Sequence, residues 1–232
     1  MGFLLDILLP RRCLGCGRVG EYVCFSCRRT LRAIIPSDSV CPVCQKRAIG
    51  GATHPVCRGK WRIDGLTAFF RYWGVLRRVL KTVKYRSAFD VAGRLMALVP
   101  LTSHNLIPLV KNGFPAILVP IPLHLERQRL RGFNQSELFG RIFASAAAVQ
   151  VEPGILTRFR MTVPQADLSD RKRRLANIRG VFRVNKPIAD KYIRQPVILF
   201  DDVYTTGATL SDAAATLKRS GFRFVWGVVL AR

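Results

Sequence analysis

The chain has 232 residues, 49% of them hydrophobic and 22% charged. That supplies one sizeable core with room for a small module beside it, and it excludes a disordered or fibrous chain. The charge is the outlier: 38 Lys and Arg against 14 Asp and Glu give a formal +24, which favours a polyanionic partner, with a merely solvated basic surface as the plainer alternative.

The opening run "MGFLLDILLP" is about half the ~20 apolar residues that a bilayer span demands. No basic residue precedes it, Asp6 interrupts it and no small-residue cleavage site follows, so it does not read as a signal peptide. The expectation is a short helix ended by Pro10 that packs on the body, with an interfacial anchor as the alternative and the cytoplasm as the default compartment.

All seven cysteines then fall before residue 58. Six make the C-x-x-C pairs Cys13/Cys16, Cys24/Cys27 and Cys41/Cys44, and the seventh stands in "HPVC" as His54-x-x-Cys57. Two residues between ligands let a tight turn aim both donors at one ion, so four such half-sites make two tetrahedral sites. The expected pairing is Cys13, Cys16, Cys24 and Cys27 at one zinc, and Cys41, Cys44, His54 and Cys57 at the other. His54 enters as the fourth donor that the arithmetic lacks; a surface histidine is the alternative. Disulfides are disfavoured by the odd cysteine count and by the spacing, and iron–sulfur ligation is a further alternative. Four-ligand zinc is closed to substrate, so this module is expected to be structural.

Composition changes at about Trp61, which divides the chain into residues 1–60, the metal module, and 61–232. "LTAFFRY" reads as a strand. In "VLRRVLKTVKYR" helical spacing puts Val75, Leu76, Val79, Leu80 and Val83 on one face and Arg77, Arg78, Lys81 and Lys84 on the rest. "AFDVAGRLMALV" continues as a helix, and "AILVPIPL" is a buried strand ending at Pro120 and Pro122. A polar, basic segment with Gly132 as a turn leads into the helix "SELFGRIFASAAAV". "TVPQADLSDRKRRLANIRG" reads as a long basic loop. "GVFRV", "PVILF" and "FRFVWGVVLAR" read as strands, the last two separated by the helix "LSDAAATLKRS" with Leu210, Ala213, Ala214 and Leu217 as its apolar stripe and Gly221 as its stop. Strand, loop, helix, strand with continuous apolar strands predicts an α/β fold, a parallel sheet covered on both faces.

The stretch "VILFDDVYTTGATL" ends such a strand on two adjacent carboxylates, Asp201 and Asp202. Ligands of parallel sheets bind beyond the carboxyl ends of the strands. A helix start there offers unpaired N–H groups, to which Thr205, Thr206 and Thr209 add hydroxyls, while Gly207 lets the backbone approach an oxyanion closely. The GK[ST] ending of a Walker loop is absent. Paired carboxylates beside a monophosphate cradle suit ribose hydroxyls beside a 5-phosphate; a helix-capping cluster is the competing reading.

"VILFDDVYTTGAT" resembles the phosphoribosyl pyrophosphate (PRPP) motif of the type I phosphoribosyltransferases. Together with "RGFNQSEL", "KTVKYR", the loop "PQADLSDRKRRLANIRGVF" and the double C-x-x-C module, the whole chain resembles the competence protein F (ComF) family, departing from it at His54, where relatives often carry a fourth cysteine pair. The resemblance implies a type I phosphoribosyltransferase-like domain over 61–232 behind a double zinc ribbon over 1–60. It implies that Asp201 and Asp202 hold the ribose hydroxyls, that Thr205, Thr206, Gly207, Ala208 and Thr209 hold the 5-phosphate, and that Mg²⁺ accompanies the pyrophosphate. "VPIPLHLERQRLRGFNQ" would be the pyrophosphate loop with Arg131 near the leaving group, and the loop with Arg171 and Arg174 would close over the site. No residue marks the acceptor. The family's association with DNA uptake implies single-stranded DNA and other uptake proteins as partners, the latter holding the chain at the inner face of the membrane, and allows a non-enzymatic DNA-handling role in which the PRPP-type site is regulatory or vestigial. For DNA the candidate contacts are Arg77, Arg78, Lys81 and Lys84, Arg28, Arg29 and Arg32 of the metal module, and the run Arg171 to Arg174. Phe69, Phe70, Tyr72 and Trp73 are candidate stacking groups or core.

Overall fold

The apolar runs at 197–200 and 228–231 form the two central strands of the sheet, because a strand buried on both faces has no polar side to show. The computed structural model describes residues 10–83, 88–100, 115–161 and 180–232. The expected N-terminal helix, Lys84, Arg171 and Arg174 lie outside them.

In chain order the elements are β1 (Gly65–Phe70), α1 (Gly74–Thr82), α2 (Ala88–Met96), β2 (Ile117–Pro120), α3 (Leu125–Arg131), α4 (Gln135–Ala147), β3 (Gln150–Val151), β4 (Leu156–Arg158), β5 (Phe182–Val184), β6 (Val197–Val203), α5 (Ala208–Arg219) and β7 (Val225–Ala231). Five strands make a parallel sheet in the order β1-β7-β6-β2-β3. Side chains alternate along it: Leu118, Ile198, Phe200, Val228 and Leu230 face one core with α1, α2 and α4, whereas Ile117, Val119, Val197, Leu199 and Val229 face the other with α5. The period of two along each strand thus buries both faces of one sheet. All five apolar positions expected on α1 are buried, and so is the whole stripe Leu210, Ala213, Ala214 and Leu217 on α5.

Three details refine the sequence reading. "GVFRV" is not a strand of the parallel sheet: β5 pairs antiparallel with β4 in a separate two-stranded ribbon. The polar segment before Gly132 holds a helix, α3, none of whose residues is buried, capped by the His124 side chain and stopped by Gly132 in the left-handed region. Phe69 and Phe70 are core residues at 1% and 3% exposure, while Trp73 stands 69% exposed at the start of α1.

The cysteine-rich segment covers the edge of the sheet at β1. Ile34 N–H donates to the Phe69 carbonyl, Thr53 N–H to the Asp64 carbonyl, and Ala33 and Ala52 bridge Phe70 and Gly65. An open strand edge is a template for unwanted pairing, and this module closes it. Cys13, Cys24 and Cys27 belong to the same core as Val75, Leu76 and Val79 of α1.

Candidate functional site

The chain leaves β2 through α4 to β3 on one side of the sheet, and leaves β6 through α5 to β7 on the other. The order of the strands therefore reverses between β2 and β6, which opens a crevice beyond their carboxyl ends. Asp201 and Asp202 lie at that end of β6. Pro120, opposite Phe200, ends β2, and Ile121 N–H donates to the Phe200 carbonyl at 2.9 Å.

The start of α4 supplies the other wall. Asn134 caps it by accepting from Ser136 N–H, and the Asn134 amide donates to the Ile121 carbonyl at 3.0 Å, which fixes the helix to the end of β2. The Ser136 hydroxyl then donates to Asp201 Oδ1 at 2.8 Å, as does Asp202 N–H at 2.9 Å. Asn134, Gln135 and Ser136 are all buried polar residues. Burial and the Asp202 charge push the Asp201 carboxyl up to about 7, against the pull of the Ser136 hydroxyl and the Asp202 N–H. The raised Asp201 carboxyl keeps its proton more readily, which relieves the repulsion between the adjacent acids.

Residues 205–209 turn from β6 into α5. Gly207 occupies the cap position of α5 with φ +76°, and a Cβ there would lie 2.3 Å from the Tyr204 hydroxyl, so both conformation and space require glycine. Ala208 N–H donates to the Thr206 hydroxyl at 3.4 Å. A helix of this length with its amino end in the crevice favours an anion. Gly180 and Val181 donate their N–H groups to Asp212 of α5.

Arg131 makes its hydrogen bond to Gln135 Oε1 at 3.1 Å rather than to either aspartate. Asp201 instead bears on Arg158 of β4: burial and Arg127 depress the Arg158 guanidinium below the usual range, while Asp201 and Asp212 oppose that shift. The sequence reading missed Arg158, because nothing in "GILTRFR" distinguishes it from the exposed arginines around it. Ser136 is one polar residue among several in "RGFNQSEL", and its contact with Asp201 spans 65 residues of chain.

The metal donors come together as expected. Cys13, Cys16, Cys24 and Cys27 form one group and Cys41, Cys44, His54 and Cys57 another, with the donor atoms of each within 4.8 Å of one another. Zn–S bonds of ~2.3 Å at tetrahedral angles set sulfurs about 3.8 Å apart. The Cys16 and Cys24 sulfurs are 3.7 Å apart, and Cys44 Sγ lies 3.3 Å from His54 Nδ1. That spacing suits one ion per group; a disulfide needs sulfurs near 2.05 Å, and all seven cysteines are free thiols. His54 Nε2 bonds the Arg47 carbonyl at 2.7 Å, which leaves Nδ1 as the donor to the ion. Backbone N–H groups of Cys24 and Gly15 point at Cys13 Sγ. Burial opposes the ionised Cys13 thiolate, but such N–H groups outweigh it and bring the thiol down to about 6. Both groups fit structural Zn²⁺.

Of the nucleic-acid candidates, Arg77, Arg78 and Lys81 are exposed along α1. Arg29 and Arg32 are exposed as well, while Arg28 is tied to Glu21 at 2.8 Å. No helix among the described residues is long and apolar enough to cross a membrane.

Residues 4–59 match the family model described as a double zinc ribbon domain. The chain is similar to "Competence protein ComFC" of Bacillus subtilis, at 29% identity over 87% of this chain and 80% of that protein. It is similar to "DNA utilization protein YhgH" of Salmonella typhi, at 30% identity over 86% and 85% of the two chains. It is also similar to "Competence protein F" of Haemophilus influenzae, at 25% identity over 91% and 98%.

Proposed function

The chain belongs to the ComF family, and from that premise we propose that it binds PRPP, carried as its magnesium complex, beyond the ends of β2 and β6, and that it serves DNA uptake. The observation that carries the reading is the Asp201–Asp202 pair at the strand-order reversal, followed directly by a helix start whose cap is Gly207. Asp201 and Asp202 accept from the ribose hydroxyls. The N–H groups and hydroxyls of 205–209 take the 5-phosphate at the amino end of α5. Ser136 orients Asp201 through its 2.8 Å hydrogen bond, and Asn134 holds Ser136 in place. In a transfer reaction the bond from the anomeric carbon to pyrophosphate breaks as a bond to the acceptor forms, through an oxocarbenium-like state. Magnesium carried on the pyrophosphate would supply charge neutralisation to that leaving group. Arg131, bonded to Gln135, is the residue assigned to that leaving group, and Arg171 and Arg174 lie outside the described residues. Isothermal titration of the full chain with PRPP and Mg²⁺ tests the proposal: saturable heat is expected, and no heat with PRPP, ribose 5-phosphate or pyrophosphate overturns it.

A second activity is favoured by the surface of α1, where Arg77, Arg78 and Lys81 are exposed and Trp73, at the start of the helix, is exposed as well. A basic track with an aromatic platform binds single-stranded DNA without sequence preference, and the names of the relatives concern competence and DNA utilization. The logarithm of DNA affinity is expected to fall linearly with the logarithm of salt, and replacing Arg77, Arg78 and Lys81 by Glu reduces that slope by about 2, since each neutralised phosphate contributes about 0.7 for single strands. An affinity indifferent to salt defeats this reading and leaves the PRPP site untouched.

A further inference from the structure

Tyr204 sits between the aspartate pair and the phosphate loop, and its side chain is 6% exposed. The hydroxyl donates to the Pro42 carbonyl at 2.7 Å, a buried hydrogen bond across 162 residues of chain. Pro42 lies inside the second metal knuckle, between Cys41 and Cys44, and Cys41 is fully buried. On the other side the Tyr204 ring lies against Gly207, whose Cβ position is 2.3 Å from the hydroxyl and 2.6 Å from the ring carbon that bears it. One phenol therefore touches both the metal knuckle and the cap of the anion-binding helix.

The neighbouring contacts make this junction stiff. The knuckle turn is closed by Gln45 N–H donating to the Cys41 carbonyl and Cys41 N–H to the Lys46 carbonyl. Just before it, the Asp38 carbonyl accepts from Arg232 and the Asp38 carboxylate from Arg71, which ties the ribbon to the ends of β7 and β1. An ion held by Cys41 and Cys44 fixes where the Pro42 carbonyl points. When the knuckle loosens, the buried phenol loses this acceptor, and breaking a buried hydrogen bond costs enough to move the ring. No empty space separates the ring from Gly207, so a displaced ring displaces the cap.

We infer that Tyr204 is a positioning residue that couples the second metal site to the phosphate loop, so that zinc at Cys41, Cys44, His54 and Cys57 and a sugar phosphate at 205–209 each strengthen the binding of the other. Coupling of this kind is reciprocal: the factor by which the ligand tightens zinc equals the factor by which zinc tightens the ligand. The inference rests on the proposed sugar-phosphate site and names its regulation.

The test uses the full chain and ribose 5-phosphate as probe. Zinc affinity of the second site is measured in chelator-buffered zinc, with and without saturating ribose 5-phosphate, and the ligand's own affinity is measured by calorimetry at full and partial zinc loading. The expected result is a five- to tenfold tightening in each direction. Tyr204→Phe keeps the ring packed and removes only the hydroxyl; it is expected to bind two zinc ions and to lose the coupling. His54→Ala, which weakens the second site without touching Tyr204, is expected to weaken ribose 5-phosphate binding by the same factor as zinc depletion. Ligand binding that ignores zinc, or a coupling that persists undiminished in Tyr204→Phe, overturns the inference while leaving the site proposal intact. Failure of the wild-type chain to bind ribose 5-phosphate or PRPP overturns both.

Discussion

Replacing Asp201 and Asp202 together by alanine is expected to weaken PRPP binding by a factor of about 100 or more, measured by titration calorimetry with Mg²⁺ present. Each charge-assisted hydrogen bond accepted by a carboxylate contributes about 1.5–3 kcal/mol, and in the proposed complex the pair faces adjacent hydroxyls of one ribose, so the two losses combine. Unchanged affinity in the double variant ends the assignment of the ribose clamp. Asp201→Asn separates ligand binding from stability. The Asp201 carboxyl is pushed up to about 7 by burial and by Asp202, so the folded protein keeps a proton there over a range in which the unfolded chain has lost it. Stability from that group is complete below the ordinary carboxylate range and is lost as pH rises through about 7. At pH 8 the ionised carboxyl costs on the order of 4 kcal/mol, and asparagine, which still accepts from Ser136 and from Asp202 N–H, removes that cost. The Asn variant is therefore expected to melt roughly 5–10 °C above the wild type at pH 8 and near the wild type at pH 4, while binding PRPP poorly. Equal melting shifts at both pH values contradict the origin of the raised carboxyl. A site that is more stable without its functional group is what the trade between stability and activity produces.

How much of this was legible in the sequence follows from where each signal resides. The strand ending in Asp201 and Asp202, the helix after Gly207 and the stripe at Leu210, Ala213, Ala214 and Leu217 are local patterns, and period and turn chemistry report them directly. The metal groups were legible because two-residue spacing is itself a geometric statement about one ion. Helix α3 was not, since it buries no residue and leaves Leu125 and Leu130 exposed, so no apolar stripe marks it; its stability lies in its cap and its glycine stop. Three-residue β5 carries too little pattern to choose a partner, and it joined β4 instead of the sheet. Contacts between distant segments, Ser136 with Asp201 and Tyr204 with Pro42, exist only once the strand order is known. The aromatic run at 69–73 shows the limit within one motif: β1 is covered on both faces, which buries the adjacent Phe69 and Phe70, and only past its end does Trp73 reach solvent.

The largest effect on stability is expected at the first metal group. Cys27→Ser should reduce the zinc content by one ion per chain, measured by metal analysis, and lower the melting temperature by 10 °C or more. Binding of a structural zinc is worth about 10–16 kcal/mol in small zinc-finger peptides, more than the roughly 5–15 kcal/mol that holds a whole domain together. Its loss is felt beyond the ribbon here, because Cys13, Cys24 and Cys27 share a core with Val75, Leu76 and Val79 of α1. The Cβ position of Gly15 lies 2.5 Å from Cys27 Sγ and 3.0 Å from Val75, so the knuckle and the helix are packed without a gap. Helix α1 in turn covers one face of the sheet and presents Arg77, Arg78 and Lys81 to solvent. Cys44→Ser also removes one ion, but its sulfur lies at the surface beside His54, and the melting loss is expected to be smaller. The contrast between the two serine variants distinguishes a metal that supports the main core from one that bears on the phosphate loop. Equal melting losses, or a Cys27→Ser protein that retains two zinc ions, contradict this division of labour.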